Sequence, residues 1–134
     1  MTEVTAKLRF YRMGPRKVRL VADLMRGKKV TDTLDRLSLL NKKAAGALLK
    51  LLRSAVANAK HNHNLEVENL RIKKIFVDGG PMLKRWMPRA HGRATPIRER
   101  TSHISLILED FVPRVKKEKK AEKKVKKEKN LIKK

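Results

Sequence analysis

Cysteine is absent from this 134-residue chain. That excludes disulfides, thiolate catalysis and Cys-based zinc sites, and with nothing pointing to an oxidising compartment a cytosolic setting is expected. No apolar run reaches the roughly 18 residues of a membrane-spanning helix, and no secretory-type apolar stretch follows Met1. Acidic residues are scarce as well: 13 Asp and Glu stand against 36 Lys and Arg, for a formal charge of +23. Self-repulsion on that scale calls for a polyanion nearby, and nucleic acid is the leading partner. An anionic membrane surface would call instead for one strongly amphipathic basic helix, whereas here the charge is spread over every element. The length predicts one domain with a modest core.

Residues 79–100, GGPMLKRWMPRAHGRATPIRER, lack any core pattern. They sustain no apolar period of 2.0 or 3.6, so the segment cannot bury a face. From Pro81 onward Lys84, Arg85, Arg89, Arg93, Arg98 and Arg100 oppose only Glu99. A long stretch of this kind in a small domain is functional or a linker. Its flanks, 70–77 and 101–110, read as strands, the second with Ile104, Leu106 and Leu108 inward and His103, Ser105 and Ile107 opposite. Joined antiparallel, they form a hairpin whose arms of about 11 residues reach up to ~35 Å. Pro81, Pro88 and Pro96 rule out central-strand pairing, which predicts a two-stranded ribbon with irregular stretches. Such a ribbon is marginal alone in water, so its tip is expected to be ordered only when bound.

The remainder supplies a body. Residues 3–11 alternate, with Val4, Ala6, Leu8 and Phe10 on one side and Glu3, Thr5, Lys7, Arg9 and Tyr11 on the other. Pro15 suits the first position of a helix in which Val18, Val21, Ala22 and Met25 form the apolar stripe and Gly27 the stop. Thr31 is expected to cap a short second helix with Asp32 and Asp35 in its first turn and Leu34 and Leu37 inward. Asn41 is expected to cap a third helix through about Lys60, carrying Ala45, Leu48, Leu49, Leu52, Ala55, Val56 and Ala59 inward, with KHNHN (60–64) as a closing loop. The fold class predicted is α+β: three helices packed on a small three-stranded antiparallel sheet, with a long protruding β-hairpin. Residues 1–113 read as a single RNA-binding domain that includes the hairpin 79–100. Residues 114–134 form a tail of twelve basic and three acidic residues, expected to be disordered when free.

Arg16, Lys17 and Arg19 lie in the first turns of the first helix, where cations oppose the macrodipole at a cost of ~0.3–1 kcal/mol each. Their placement suggests binding. The candidate RNA contacts on the body are Arg9, Arg12, Arg16, Lys17, Arg19, Lys28, Lys29, Lys73 and Lys74. In and beside the finger they are Lys84, Arg85, Trp86, Arg89, His91, Arg93, Arg98, Arg100 and His103. Five finger arginines supply phosphate forks, and the interleaved Trp86, Met87 and His91 can stack on or wedge beside bases. No RRM, KH or zinc-finger signature is present, which favours shape-fitted binding over sequence readout. Neutralising even about ten phosphates predicts a salt slope of roughly −7 to −9.

Other chemistry is weakly supported. His61 and His63 lack a third ligand cluster, so no metal site is expected. Asp23, Asp32, Asp35 and Asp78 form no paired-carboxylate pattern, and no G-K-[ST] follows Gly79-Gly80-Pro81, so no P-loop, cofactor or enzymatic activity is expected.

Six segments in register, KVRLVADLMRGKKV (17–30), NKKAA (41–45), SAVANAKHN (54–62), KIFVDGGP (74–81), KRWMPRAHGRA (84–94) and RTSHISLIL (100–108), closely resemble the family of bacterial large-subunit ribosomal protein number twenty-two, the exit-tunnel hairpin proteins. The resemblance implies an α+β body near the tunnel exit of a cytoplasmic ribosome, with a hairpin running inward through 23S ribosomal RNA. It implies 23S ribosomal RNA, neighbouring large-subunit proteins and the nascent polypeptide as partners, with no membrane association and no homo-oligomer. Carried over by position, the tip is 84–93, and Arg89, Ala90, His91, Gly92 and Arg93 face the tunnel. The family often has another basic residue where His91 stands and an aliphatic one where Trp86 stands. Two other readings stay open: a free-standing basic nucleic-acid chaperone, and an RNA-processing enzyme using His61, His63 or His91.

Overall fold

Strict alternation along the last of the described strands sets the architecture. In β3 (Ala94–Asp110) Ile104, Leu106 and Leu108 are buried, while His103, Ser105 and Ile107 on the other face are half-buried. The computed structural model describes residues 2–111, so the tail assigned to 114–134 lies outside the described residues. β3 is the central strand of a three-stranded antiparallel sheet, between β1 (Glu3–Tyr11) and β2 (Leu70–Pro88). Its inward residues meet matching ones on both sides, in the rungs Val4–Leu108–Ile72, Ala6–Leu106–Ile75 and Leu8–Ile104–Val77. Helices α1 (Pro15–Met25), α2 (Val30–Leu39) and α3 (Lys43–His63) complete the α+β fold. As the periodicity predicts, α1 buries Val18, Val21, Ala22 and Met25. α3 buries Ala45, Leu48, Leu52, Ala55 and Ala59 with Ala44 and Leu51 added, while Leu49 and Val56 are only partly buried.

Three elements depart from the sequence expectation: β1 keeps its expected bounds of 3–11 but not its facing, and α2 and α3 shift at their ends. Near its end β1 carries an irregularity between Leu8 and Tyr11, where three steps on β1 match two on β3. An inserted residue in a period-two element swaps its faces. Phe10 therefore leaves the core, 61% exposed and with φ at 55°, and Tyr11 turns inward and donates its hydroxyl to Lys43 O at 3.3 Å. The left-handed Phe10 is held by its own N–H, which donates to His103 Nδ1 at 3.0 Å, and by an edge-on contact between the two rings.

The second helix starts at Val30 with no side-chain cap, so Thr31 lies inside it, and Asp32 is the acidic residue of the first turn. Its start is fixed by backbone pairing instead: Lys29 bridges Arg71, Gly27 N–H donates to Ile72 O at 3.1 Å, and Ile72 N–H donates to Lys28 O at 3.0 Å. The third helix starts at Lys43 rather than after Asn41 and continues to His63. KHNHN is thus mostly helix. Lys60, His61 and His63 complement the C-terminal dipole, and Asn64 takes the left-handed stop at φ 50°.

The finger is paired throughout. Beyond the body β2 and β3 continue through seven rungs, from Met82–Arg100 to Pro88–Ala94, and a turn of 3-10 helix over Ala90–Gly92 closes the tip. This regularity exceeds the irregular ribbon expected. Each strand of a two-stranded ribbon has a free edge where a missing N–H removes no ladder bond, so prolines are tolerated. Arg89 N–H donates to Arg93 O at 2.7 Å across the turn, with His91 at φ 57° and Gly92 at φ 66°.

The finger leaves the sheet at a bulge between Gly79 and Met82. Here Thr101 Oγ1 donates to Pro81 O at 2.6 Å, and a Cβ on Gly80 would collide with Thr101 Oγ1 and approach His103 Nε2 at 3.2 Å. Gly80→Ala is expected to destabilise the fold by about 1–3 kcal/mol by displacing a buried, hydrogen-bonded threonine. Gly79→Ala has open space around it and should stay within about 1 kcal/mol of the parent. Urea unfolding of the two variants measures the difference, and equal midpoints would show that the bulge does not need Gly80.

Candidate nucleic-acid interface

Every residue from Lys84 to Arg100 is exposed. The register sorts them into two faces. Trp86, Lys84 and Met82 share one face with their partners Pro96, Arg98 and Arg100, while Leu83, Arg85 and Met87 share the other with Glu99, Ile97 and Thr95. Lys84 lies directly opposite Arg98, and like charges in that position destabilise a strand pair. A ribbon selected for its own stability would carry a carboxylate there. The one finger carboxylate is engaged elsewhere: Glu99 accepts from Arg12 Nη2 at 3.0 Å, with Arg85 Nε at 4.0 Å. That pair ties the finger base to the β1–α1 junction.

Between junction and finger base lies a cleft of about 710 Å³. Arg12, Lys17, Lys43, Arg98 and Arg100 line it, with Glu99 as the sole acid. Five cations around one carboxylate make a concave surface suited to a phosphodiester backbone. The geometry is that of a cationic prong rising from a cationic cleft.

The family model described as ribosomal protein L22p/L17e matches residues 6–109, from β1 through the whole finger and back to the end of β3. The chain belongs to that family. As an L22p/L17e protein it is a structural component of the large ribosomal subunit, associated with ribosomal RNA and other ribosomal proteins. The finger falls inside the match, so it is part of the family pattern.

In this L22p/L17e chain the residues singled out from sequence separate by exposure and by partner; Arg85 is exposed with its Nε 4.0 Å from Glu99. Arg9, Arg16, Lys17, Lys29, Lys74, Lys84, Arg93, Arg98 and Arg100 are exposed and make no ion pair among the described residues. Trp86, Ala90, His91 and Gly92 are exposed on the finger and its tip, as is Arg89, which donates from Nε to Thr95 Oγ1 at 3.3 Å. Lys28 is half-buried beside the α1–α2 junction. Others are engaged inside the protein. Arg19 donates from Nε and Nη2 to Val77 O at 3.1 and 2.9 Å, docking α1 onto β2 just before the finger begins. Arg12 is held by Glu99, and His103 accepts from Phe10 N–H. Lys73 pairs with Glu3 and lies 3.7 Å from Glu109, which Arg71 also contacts at 3.1 Å. Lys43, in the cleft, and Phe10 and Phe76, exposed on the sheet's open face, were not among the sequence candidates. Phe76 was within reach of the pattern, because Ile75 and Val77 inward place it outward.

The Glu3–Lys73 pair gives a pH signature. The hydrogen bond and charge of Lys73 hold the Glu3 carboxyl below its ordinary value, and the hydrogen bond to Glu3 holds the Lys73 ammonium above its own. The Glu3 contribution is present above the ordinary carboxylate range and lost as pH falls through the lowered folded value; the Lys73 contribution is lost as pH rises through the raised one. Glu3→Gln should therefore lower the thermal midpoint slightly at neutral pH, with the two curves merging under acid. A gap that persists in acid would assign the effect to packing.

Proposed function

We propose that the finger threads this protein into 23S ribosomal RNA, from a body seated at the large-subunit surface. The tip 84–93 reaches the nascent-peptide tunnel, where Arg89, Ala90, His91, Gly92 and Arg93 face the passing chain. The seven rungs and the tip extend roughly 25 Å beyond the body. In this reading the protein is of the bacterial type, works in cytoplasmic ribosomes and supports subunit assembly. Residues 1–113 act as one unit and 114–134 as an added RNA-contacting arm.

One observation carries the proposal. The ribbon has no buried face, and it sets Lys84 against Arg98, an arrangement that becomes favourable only with polyanion around it. Trp86 adds a flat group on the same face for stacking on exposed bases.

Trp86→Ala tests this directly. It should weaken binding to large-subunit RNA by about 1–3 kcal/mol, the worth of one stacked base, and leave the salt slope unchanged because no charge is lost. Equal affinity of the parent chain for duplex DNA, with no effect of Trp86→Ala, would favour a general nucleic-acid chaperone instead.

A further inference from the structure

All three strongly exposed leucines among the described residues lie on the helical side: Leu20 at 72%, Leu24 at 51% and Leu39 at 85%. They border two grooves. One, of about 430 Å³, runs between α1 and the start of α3 past Lys17, Leu20, Leu24, Leu40, Lys42 and Lys43. The other, of about 330 Å³, lies between α1 and α2 against Leu24, Lys28, Arg36, Leu37 and Leu39. Leu24 and Leu40 belong to both, so the two run together as one trough. Its floor is aliphatic, its rim carries Lys17, Lys28, Arg36, Lys42 and Lys43, and no carboxylate lines it.

We propose that this trough docks an apolar polypeptide segment flanked by Asp or Glu, contributed by a neighbouring protein of the large subunit. An exposed aliphatic patch of this kind marks a protein-binding surface, and the cationic rim selects the sign of what surrounds the apolar side chains. Other occupants fit worse. RNA bases stack on flat aromatic groups, and the trough has none. The chain's own tail, with twelve basic and three acidic residues, and a second copy presenting the same rim are both repelled. A bilayer surface is broad and flat, whereas two concave grooves call for side chains that protrude. The inference rests on membership of the large subunit and holds whether or not the finger reaches the tunnel.

The test uses assembled large subunits. The photo-crosslinking residue p-benzoylphenylalanine replaces Leu39, in the parent background and with Leu20→Asp added. The expected product is a link to one other protein, through a peptide that carries Asp or Glu beside an apolar residue. Leu20→Asp should lower the yield about tenfold, the loss expected from one buried leucine, with co-sedimentation unchanged. Arg36→Glu with Lys42→Glu should lower it similarly through the rim charges. A link to RNA, lipid, the chain's own tail or a second copy would overturn the proposal. So would a linked peptide without carboxylates, a yield indifferent to these substitutions, or no product in subunits that contain the chain.

Discussion

Replacing Arg85, Arg89, Arg93, Arg98 and Arg100 together with Ala is expected to flatten the salt dependence of binding to large-subunit RNA by about 3.5–4.5 in log–log slope, at roughly 0.7–0.9 per lost phosphate contact. Affinity at low salt should fall by on the order of a hundred-thousandfold, because five charge-assisted contacts of at least about 1.5 kcal/mol each are lost. The body should remain folded. All five side chains are exposed and none contributes to the core, so circular dichroism and the urea midpoint serve as the control. An unchanged slope would move the phosphates to the cleft, where Arg12, Lys17 and Lys43 remain.

Leu106→Ala should do the reverse. Leu106 is fully buried on the central strand, in the rung between Ala6 and Ile75. Truncation there leaves a cavity shared by both flanking strands and costs about 2–5 kcal/mol, a large part of the roughly 5–15 kcal/mol that holds a domain together. Deleting residues 82–85, by contrast, removes four exposed or half-buried finger positions. Because four is even, the alternation of the remaining strand is preserved. The urea midpoint of the body should then change little, while on the proposed tunnel reading passage of nascent chains through the ribosome changes. A shortened finger that melts the body would show that the two are not separable.

The contrast between these variants mirrors what the sequence made visible. Periodicity found α1 and the inward row of β3, because burial repeats at the element's own spacing and leaves a printed pattern. The finger stands out by the opposite sign, charge without pattern, since a ribbon with no buried face has no apolar neighbour to print a period. Three kinds of feature escaped. An inserted residue is invisible to a two-residue period, so Phe10 and Tyr11 exchange faces unannounced, whereas the composition of Gly79-Gly80-Pro81 does mark a turn or bulge where the finger leaves the sheet. Backbone pairing leaves no side-chain signature, so the bridge from Lys29 to Arg71, and with it the start of α2, could not be read from Thr31. Pairings distant in sequence are unreadable from one chain: Lys73 meets Glu3, and Arg19 meets the carbonyl of Val77, only once the sheet and helix have closed. Such partners decide whether a cation is free to meet RNA or braces the fold, and the sequence alone does not tell the two kinds apart.

Chemical protection of ribosomal RNA in assembled large subunits, compared between the parent chain and one lacking residues 82–85, distinguishes a finger buried in RNA from one lying on the surface. Insertion predicts protected nucleotides in the subunit interior along the peptide tunnel, and loss of those protections when the finger is shortened. Protections confined to the subunit surface, and the same for both chains, would contradict it.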